Sequence, residues 1–121
     1  MDDEEMVRNV SAEMLKLCGY TVDLAVDGKE AIKKYISADK GGHPFDIVIM
    51  DLTIPGGIGG QEAIKKLLAV APKARGIVSS GYSTDPVMAN YIDYGFKGRL
   101  AKPFQIEALK AEIFRVMELS G

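Results

Sequence analysis

The sequence predicts an α/β domain in which helices cover both faces of a mostly parallel sheet. Short apolar runs alternate with segments of helical periodicity along the whole chain, which is the pattern of such a fold. The run FDIVIM at 45–50 is almost continuously apolar and rich in branched residues, as expected for a strand buried on both faces. The length of 121 residues, 47% of them hydrophobic and 26% charged, suits one domain over residues 1–121.

The first half of the chain predicts two helices and two strands. A first helix ends at Gly19, and its apolar positions are Val7, Val10, Met14, Leu17 and Cys18. The alternating segment YTVDLAV at 20–26 predicts a strand that precedes the one at 45–50. Asp27, followed three residues later by Glu30, resembles a capping box and starts a second helix. The inward face of that helix is predicted to hold Ala31, Ile32, Tyr35 and Ile36.

The second half predicts three more helices and two short strands. One helix begins near Gln61 and closes at Pro72, and the buried strand GIVSS follows at 76–80. Thr84 or Asp85 caps the next helix, and Pro86 fits its first turn. Its inward residues are predicted to be Val87, Met88, Tyr91 and Ile92. The last strand is GRLA at 98–101, and the final helix carries a stripe of Ile106, Leu109, Ile113, Val116 and Met117.

The composition of the chain bears on its expected binding partners and on its expected cellular location. The formal net charge of −2 argues against direct contact with nucleic acid, whose binding proteins usually present a basic face. No apolar run approaches the roughly 20 residues that a membrane span needs, so no direct membrane contact is expected. The chain has one cysteine, Cys18, which cannot form an internal disulfide, and a cytoplasmic location is therefore expected.

Polar residues stand where the predicted strands end. Asp51 closes the strand at 45–50, Ser79 and Ser80 close the next, and Lys102 follows the last. Ligands of open α/β sheets bind at the carboxyl ends of the strands, so these side chains are expected to converge. A pair of acids just before the first helix, Asp2 and Asp3, is expected at the same edge.

Crowded carboxylates of this kind call for a cation. Two like charges about 4 Å apart repel by about 4 kcal/mol at an effective dielectric of 20. Hard oxygen ligands suit Mg²⁺, and with Mg²⁺ in place Asp51 can attack a phosphorus atom as a nucleophile. The Lys102 ammonium would then neutralise phosphoryl oxygens while the Ser80 hydroxyl donates a hydrogen bond to one of them.

Four motifs together resemble the receiver domain of two-component response regulators. They are DDEE before a helix, the strand ending in Asp51, Ser80 followed by a small residue, and KPF at Lys102. The likeness covers the whole chain, and it implies a flavodoxin-like doubly wound sheet with strand order 2-1-3-4-5. The segments DLTIPGGIGG and SSGYS resemble those of receiver domains attached to sensor histidine kinases, which is the hybrid kinase type.

The resemblance implies a role for each matching residue at the metal. Asp51 matches the phosphoacceptor, which takes a phosphoryl group from phosphohistidine on a histidine kinase or a histidine phosphotransfer domain. Asp3 matches the acid that binds Mg²⁺ directly, and Asp2 the acid that acts largely through metal-bound water. The backbone carbonyl of Thr53 matches the remaining protein ligand.

Further residues match the phosphate-binding and switching positions. Ser80 matches the hydroxyl that moves toward the phosphoryl group, and Gly81 the small residue that leaves access to it. Lys102 matches the phosphate-binding lysine, and its peptide bond to Pro103 is expected to be cis, a form that proline tolerates. Thr53 and Tyr82 flank the expected path of the water that hydrolyses the acyl phosphate. They are expected to tune the rate of self-dephosphorylation. The resemblance thus implies a signalling domain that phosphorylates and dephosphorylates itself, within a histidine kinase chain or beside one, rather than a turnover enzyme.

The chain departs from the family pattern in two places. Arg99 stands where family members often carry the aromatic residue of the switch. The apolar central strand that the family places before the acidic pair is absent, since only Met1 precedes Asp2. An open centre exposes two rows of unpaired backbone groups. We therefore expect either that the chain is a fragment cut at an internal Met or that something else fills the position of the central strand. One of three outcomes is expected: the strands close up, a partner chain or a second copy donates a strand, or the acidic pair is displaced.

Several alternatives stay open at this point. Asp2 and Asp3 could serve only the dipole of the first helix, and Ser79 could face the pocket instead of Ser80. A pseudo-receiver would share the fold as a pure interaction module without being phosphorylated. A phosphohydrolase of the haloacid dehalogenase type also uses a strand-end Asp, but it usually has a second acid two residues later, where this chain has Thr53.

Overall fold

The computed structural model describes residues 1–82 and 84–119. Within these ranges the helices are α1 (Glu5–Leu17), α2 (Gly28–Lys40), α3 (Gly60–Val70), α4 (Pro86–Ala89) and α5 (Ile106–Met117). The strands are β1 (Val48–Asp51), β2 (Gly76–Ser80) and β3 (Gly98–Ala101). In the part of the chain that the structure describes, no helix is both long and apolar enough to cross a membrane.

The three strands form one parallel sheet in the order β1-β2-β3. The register pairs Asp51 of β1 with Ser79 of β2, and Ser79 in turn with Leu100 of β3. A helix lies in each connection between neighbouring strands, because parallel strands need a crossover rather than a hairpin. The predicted α/β fold is confirmed.

Buried side chains divide between two apolar clusters on opposite faces of the sheet. One cluster joins the sheet to α2, α3 and α4 and includes Tyr35, Met50, Ile64, Leu67, Val78 and Met88. The other joins it to α5 and includes Ile77, Leu100, Leu109, Ile113 and Val116. Neighbouring residues of a strand point to opposite faces, so a sheet covered on both sides needs apolar residues at nearly every position.

The predicted helix caps are present. The Asp27 side chain accepts a hydrogen bond from the backbone N–H of Glu30 at 2.9 Å, and the Glu30 carboxylate accepts one from the N–H of Val26 at 3.2 Å. At the start of α4, the Asp85 side chain accepts from the N–H of Val87 at 2.9 Å. Asp85, rather than Thr84, is therefore the cap of this helix.

The helix after this cap is shorter than its apolar pattern indicates. It ends at Ala89, and the predicted inward position of Ile92 is wrong, since Ile92 is 70% exposed. The chain turns here because the N–H of Phe96 donates to the carbonyl of Tyr91 at 3.0 Å, and Gly95 adopts a φ of 102°. Glycine reaches this left-handed conformation without a steric penalty.

The strand predicted over residues 20–26 is not formed: residues 20–25 carry no regular secondary structure. Only the N-terminus lies between this segment and β1. The N–H of Asp2 donates to the carbonyl of Ala25 at 3.1 Å, and the N–H of Asp51 donates to the carbonyl of Met1 at 2.9 Å. A strand needs a neighbour along its length to complete its ladder, and two residues supply only the end of one.

Two of the three expected outcomes of the absent central strand are wrong. The strands do not close up, because a groove of about 630 Å³ remains between residues 20–25 and β1. Asp2 is not displaced either, because Lys102 contacts both Asp2 and Asp51 at the edge of the sheet. The third outcome, a strand donated by another chain, stays a prediction.

Candidate functional site

Asp51 is the last residue of β1 and lies at the carboxyl edge of the sheet. Its apolar strand carries it into the interior, where the residue is only 8% exposed. Its backbone N–H is engaged by the carbonyl of Met1. A carboxylate in this position is deeply desolvated and needs a nearby positive charge.

Lys102 supplies that positive charge. It follows β3, and its backbone N–H donates to the carbonyl of Ser80 at 2.8 Å, which continues the ladder by one residue. Its Nζ lies 3.1 Å from Oδ1 of Asp51 and 2.5 Å from Oδ2 of Asp2. The peptide bond between Lys102 and Pro103 is cis, as the resemblance implies. One ammonium therefore bridges a carboxylate of the sheet and a carboxylate of the N-terminus.

Asp2, Asp51 and Lys102 place two carboxylates against a single ammonium. Burial raises the pKa of Asp51, and the negative charges of Asp2 and Asp3 raise it further. Lys102 acts in the opposite direction, but the pKa of Asp51 remains above its ordinary value. For Lys102, burial lowers the pKa, yet hydrogen bonds to Asp2 and Asp51 outweigh it, so the pKa of the ammonium is raised. The site would hold a further positive charge favourably.

The acidic cluster beside this trio offers hard oxygen ligands. Oxygens from the carboxylates of Asp2, Asp3 and Glu4 lie within 4.8 Å of one another. Asp2 is buried, and its Oδ1 accepts a hydrogen bond from the N–H of Glu4 at 3.0 Å, whereas Asp3 and Glu4 are exposed. Carboxylate oxygens near a water-accessible rim are the ligands that Mg²⁺ prefers, so the residues fit this ion. Glu4 was not among the predicted site residues, although the motif DDEE contains it.

The two serines of β2 occupy different environments. Ser79 is the register partner of Asp51, so their side chains lie on the same face of the sheet. Among the described side chains, the buried Ser79 hydroxyl has no hydrogen-bond partner. The Ser80 hydroxyl accepts from the N–H of Tyr82 at 3.0 Å, which is a local turn contact. The structure brings Ser79 beside Asp51 and leaves Ser80 engaged with its own loop.

The remaining predicted site residues lie in exposed loops at this edge. Thr53 is exposed two residues beyond Asp51, and Tyr82 is 74% exposed. A side chain added at Gly81 would meet no atom of the described residues within 4 Å, so this position is open. Their roles toward a metal or a phosphoryl group stay predictions.

Arg99, the departure at the switch position, connects three elements. Its guanidinium carbon lies 5.3 Å from the centre of the Tyr91 ring, a cation–π distance, and its Nη1 donates to the carbonyl of Met88 at 2.8 Å. Its backbone N–H donates to Oε2 of Glu112 at 2.8 Å. Arg99 therefore ties β3 to the segment of α4 and to α5.

Known protein families include one that matches this chain. A family description of the response regulator receiver domain matches residues 1–114. The chain belongs to the response regulator receiver domain family. As a receiver domain, it takes part in two-component signalling.

Individual relatives agree with this assignment. The chain is 35% identical over 114 residues to the chemotaxis protein CheY of Thermotoga maritima, covering 90% of each. It is 31% identical over 118 residues to the sensor kinase CckA of Brucella abortus, covering 98% of this chain but 12% of the kinase. Other relatives are longer as well, and the chain spans about a quarter of the NtrX-like response regulators of Rickettsia bellii and Rickettsia typhi.

A solved receiver structure supports the same family. The response regulator TrrA of Thermotoga maritima, in complex with Mg²⁺ and BeF, superposes with a TM-score of 0.80 at 28% identity. The match covers 95% of this chain and 93% of that one.

Proposed function

We propose that this receiver domain accepts a phosphoryl group on Asp51 from the phosphohistidine of a histidine kinase or histidine phosphotransfer domain. The observation that carries the proposal is the position of Lys102 Nζ, 3.1 Å from Asp51 and 2.5 Å from Asp2 at the carboxyl edge of the sheet. The Lys102 ammonium, which both acids share, is placed to contact a phosphoryl oxygen on Asp51 and to neutralise its negative charge.

The transfer exchanges one bond to phosphorus for another. An oxygen of the Asp51 carboxylate forms the new P–O bond as the P–N bond to the imidazole breaks, and the imidazole takes up a proton from solvent. Bound Mg²⁺ would supply charge neutralisation for the phosphoryl oxygens. Asp3, Asp2, Asp51 and the carbonyl of Thr53 are the proposed residues around the ion. Glu4 lies close enough to join them.

The phosphoryl group is proposed to bias the conformation of the face formed by α4, β3 and α5. Ser80 would leave its contact with Tyr82 to donate toward the phosphoryl oxygens, and Gly81 leaves room for that movement. Arg99 would transmit the change through Tyr91 and Met88 in place of an aromatic switch residue. Thr53 and Tyr82, both of which are exposed, would tune the self-dephosphorylation rate.

The relatives and the composition support proposals about the type of receiver and about its cellular location. One relative, CckA of Brucella abortus, is a sensor kinase, which supports a receiver of the hybrid histidine kinase type. We also propose that the domain works in the cytoplasm, where a lone free cysteine, Cys18, is stable.

Incubation with acetyl phosphate and Mg²⁺, followed by intact-mass measurement, tests the proposal. We expect one phosphoryl adduct, sensitive to hydroxylamine as an acyl phosphate is, and its loss in Asp51→Asn. Asp39→Asn, an exposed acid at the end of α2, is the matched control and should be labelled normally. A folded wild-type chain that takes up no phosphoryl group would instead support the pseudo-receiver. Repeated release of phosphate from a generic phosphomonoester would support the phosphohydrolase.

A further inference from the structure

Ser79 is buried on the face of the sheet that carries Asp51. The residue is only 3% exposed. Neighbouring residues of β2 point to opposite faces, so that Val78 packs with α3 and Ile77 packs with α5. Ser79 therefore points to the α5 side, as does its register partner Asp51. In the described part of the chain, the Ser79 hydroxyl is the one buried side-chain polar group without a hydrogen-bond partner.

An unpaired hydroxyl in this position destabilises the folded protein. Water satisfies the hydroxyl in the unfolded chain, and burial without a partner removes that hydrogen bond. Native proteins pair the large majority of such groups. A partner for the Ser79 hydroxyl is therefore expected in another state of the site, and the nearest mobile polar group identifies it.

The side chain of Lys102 spans the end of β2 at the level of Ser79. Lys102 follows β3, whereas Asp51 ends β1, and β2 lies between these two strands. The Nζ of Lys102 nevertheless lies 3.1 Å from Oδ1 of Asp51. Leu100, two residues before the lysine, is the register partner of Ser79, and the carbonyl of Ser79 accepts from the N–H of Leu52 at 2.9 Å. The lysine stem thus reaches β1 by passing the position of Ser79.

The carboxylates that hold the ammonium are also proposed ligands of Mg²⁺. Asp2 and Asp51 are the two acids in contact with Lys102. A divalent cation beside them competes for the same oxygens and repels the ammonium. The flexible stem of Lys102 is anchored at β3, so a displaced ammonium moves back toward β3 and past Ser79. An ammonium has three N–H donors, and a hydroxyl oxygen can accept from one of them.

We propose that Ser79 is a positioning residue for Lys102, whose ammonium donates a hydrogen bond to the Ser79 hydroxyl when Asp2 and Asp51 turn to a bound Mg²⁺ ion. This inference rests on the proposed function, because it uses the same metal site. The contact keeps the ammonium close to Asp51, where it can meet an oxygen of an arriving phosphoryl group. The hydroxyl therefore destabilises the metal-free protein and stabilises the metal-bound protein.

Two variants of nearly the same shape, Ser79→Thr and Ser79→Val, isolate the hydroxyl. In calorimetric titration with Mg²⁺ alone, we expect Ser79→Thr to bind like wild type and Ser79→Val to bind about tenfold more weakly. In EDTA the order reverses, and Ser79→Val should melt at a higher temperature than Ser79→Thr. Ser79→Ala removes the hydroxyl without adding volume, so it should bind Mg²⁺ like Ser79→Val even if the larger variants fold poorly. Ser37→Ala, which removes an exposed hydroxyl of α2, is the control and should bind like wild type.

A double-mutant cycle shows whether the hydroxyl acts through Lys102. In a Lys102→Met background the ammonium is gone, so the hydroxyl has no donor to accept from. The difference in Mg²⁺ affinity between Ser79→Thr and Ser79→Val should then fall to about twofold or less, which is the range of independent sites. A role of Ser79 in packing alone would leave the difference unchanged in this background.

Three results would overturn the inference. They are equal Mg²⁺ affinity of Ser79→Thr and Ser79→Val, a difference that persists in the Lys102→Met background, and the absence of Mg²⁺ binding to the wild-type chain. Labelling by acetyl phosphate together with equal affinities would refute the inference alone. The expected coupling in a chain that takes up no phosphoryl group would refute the proposed function alone.

Discussion

At the scale of single residues, Lys102 determines the electrostatics of the site. Its ammonium contacts both Asp51 and Asp2, so two buried carboxylates share one positive charge. The pKa of Asp51 is raised all the same, because burial and the two neighbouring acids outweigh the lysine. The folded protein therefore holds the Asp51 charge at a cost in the absence of a metal ion.

Replacing Asp51 by asparagine should relieve that cost. Asp51→Asn is expected to stabilise the metal-free protein by roughly 1 kcal/mol, which is a rise of about 4 °C in Tm for a domain of this size. Lys102 keeps Asp2 as its partner, so no buried charge is left alone. Thermal unfolding in EDTA at pH 7 measures the effect. An unchanged or lower Tm would mean that the carboxylates do not repel one another.

At the scale of elements, Glu112 of α5 organises the face that β3 and α5 share. Its side chain accepts hydrogen bonds from the backbone N–H of Arg99 at 2.8 Å and from Arg115 at 2.9 Å and 3.0 Å. The Arg115 hydrogen bond lowers the pKa of Glu112, which burial opposes and the Arg99 N–H reinforces. Because the side chain is 17% exposed, these contacts are partly shielded from solvent.

The lowered pKa of Glu112 gives the stability a defined pH dependence. A carboxylate whose pKa is lower in the folded state contributes stability above its unfolded pKa and loses it as pH falls through the folded value. We expect wild type to exceed Glu112→Gln by about 1 kcal/mol at pH 7 and the two to converge below the ordinary pKa of 4.5. Urea unfolding across pH 3–7 measures this difference, with Glu107→Gln, an exposed acid of the same helix, as the control. A gap between wild type and Glu112→Gln that stays constant with pH would refute the ionic contribution.

At the scale of the whole molecule, folding brings the two ends of the chain to one site. Asp2 near the N-terminus and Lys102 in the C-terminal part are in contact, although they lie 100 positions apart in the sequence. Anything that binds this site only in the folded state must stabilise the entire domain. Binding of a metal ion at this site would therefore raise the free energy of unfolding of the whole domain.

Mg²⁺ should raise the Tm of the wild-type chain in a saturable way. At 100 times its Kd, a ligand of the folded state adds about 2.7 kcal/mol to the free energy of unfolding. Asp3→Asn should lose most of this increment, whereas Glu107→Gln should keep it. Scanning calorimetry at increasing Mg²⁺ makes the comparison. Equal stabilisation of the two variants would show that the ion binds elsewhere.

Much of the fold and part of the site could be predicted from local sequence. The capping box at Asp27 and the buried strand ending at Asp51 are short-range patterns, and both are confirmed. The length of α4 and the exposure of Ile92 could not be predicted, because the turn closed by Gly95 ended a helix that apolar spacing would have continued. Glu4 was missed because four consecutive acids do not indicate which of them lie together.

The sequence by itself determined the parallel α/β architecture and the set of polar residues at the strand ends, because both follow from periodicity and from where apolar runs stop. Only the tertiary structure decided that Lys102 bridges Asp2 and Asp51, that Ser79 shares the face of Asp51, and that residues 20–25 form no strand. These features depend on the strand register and on which backbone segments are neighbours in the fold. Contacts between residues distant in sequence set them, and no local pattern encodes those contacts.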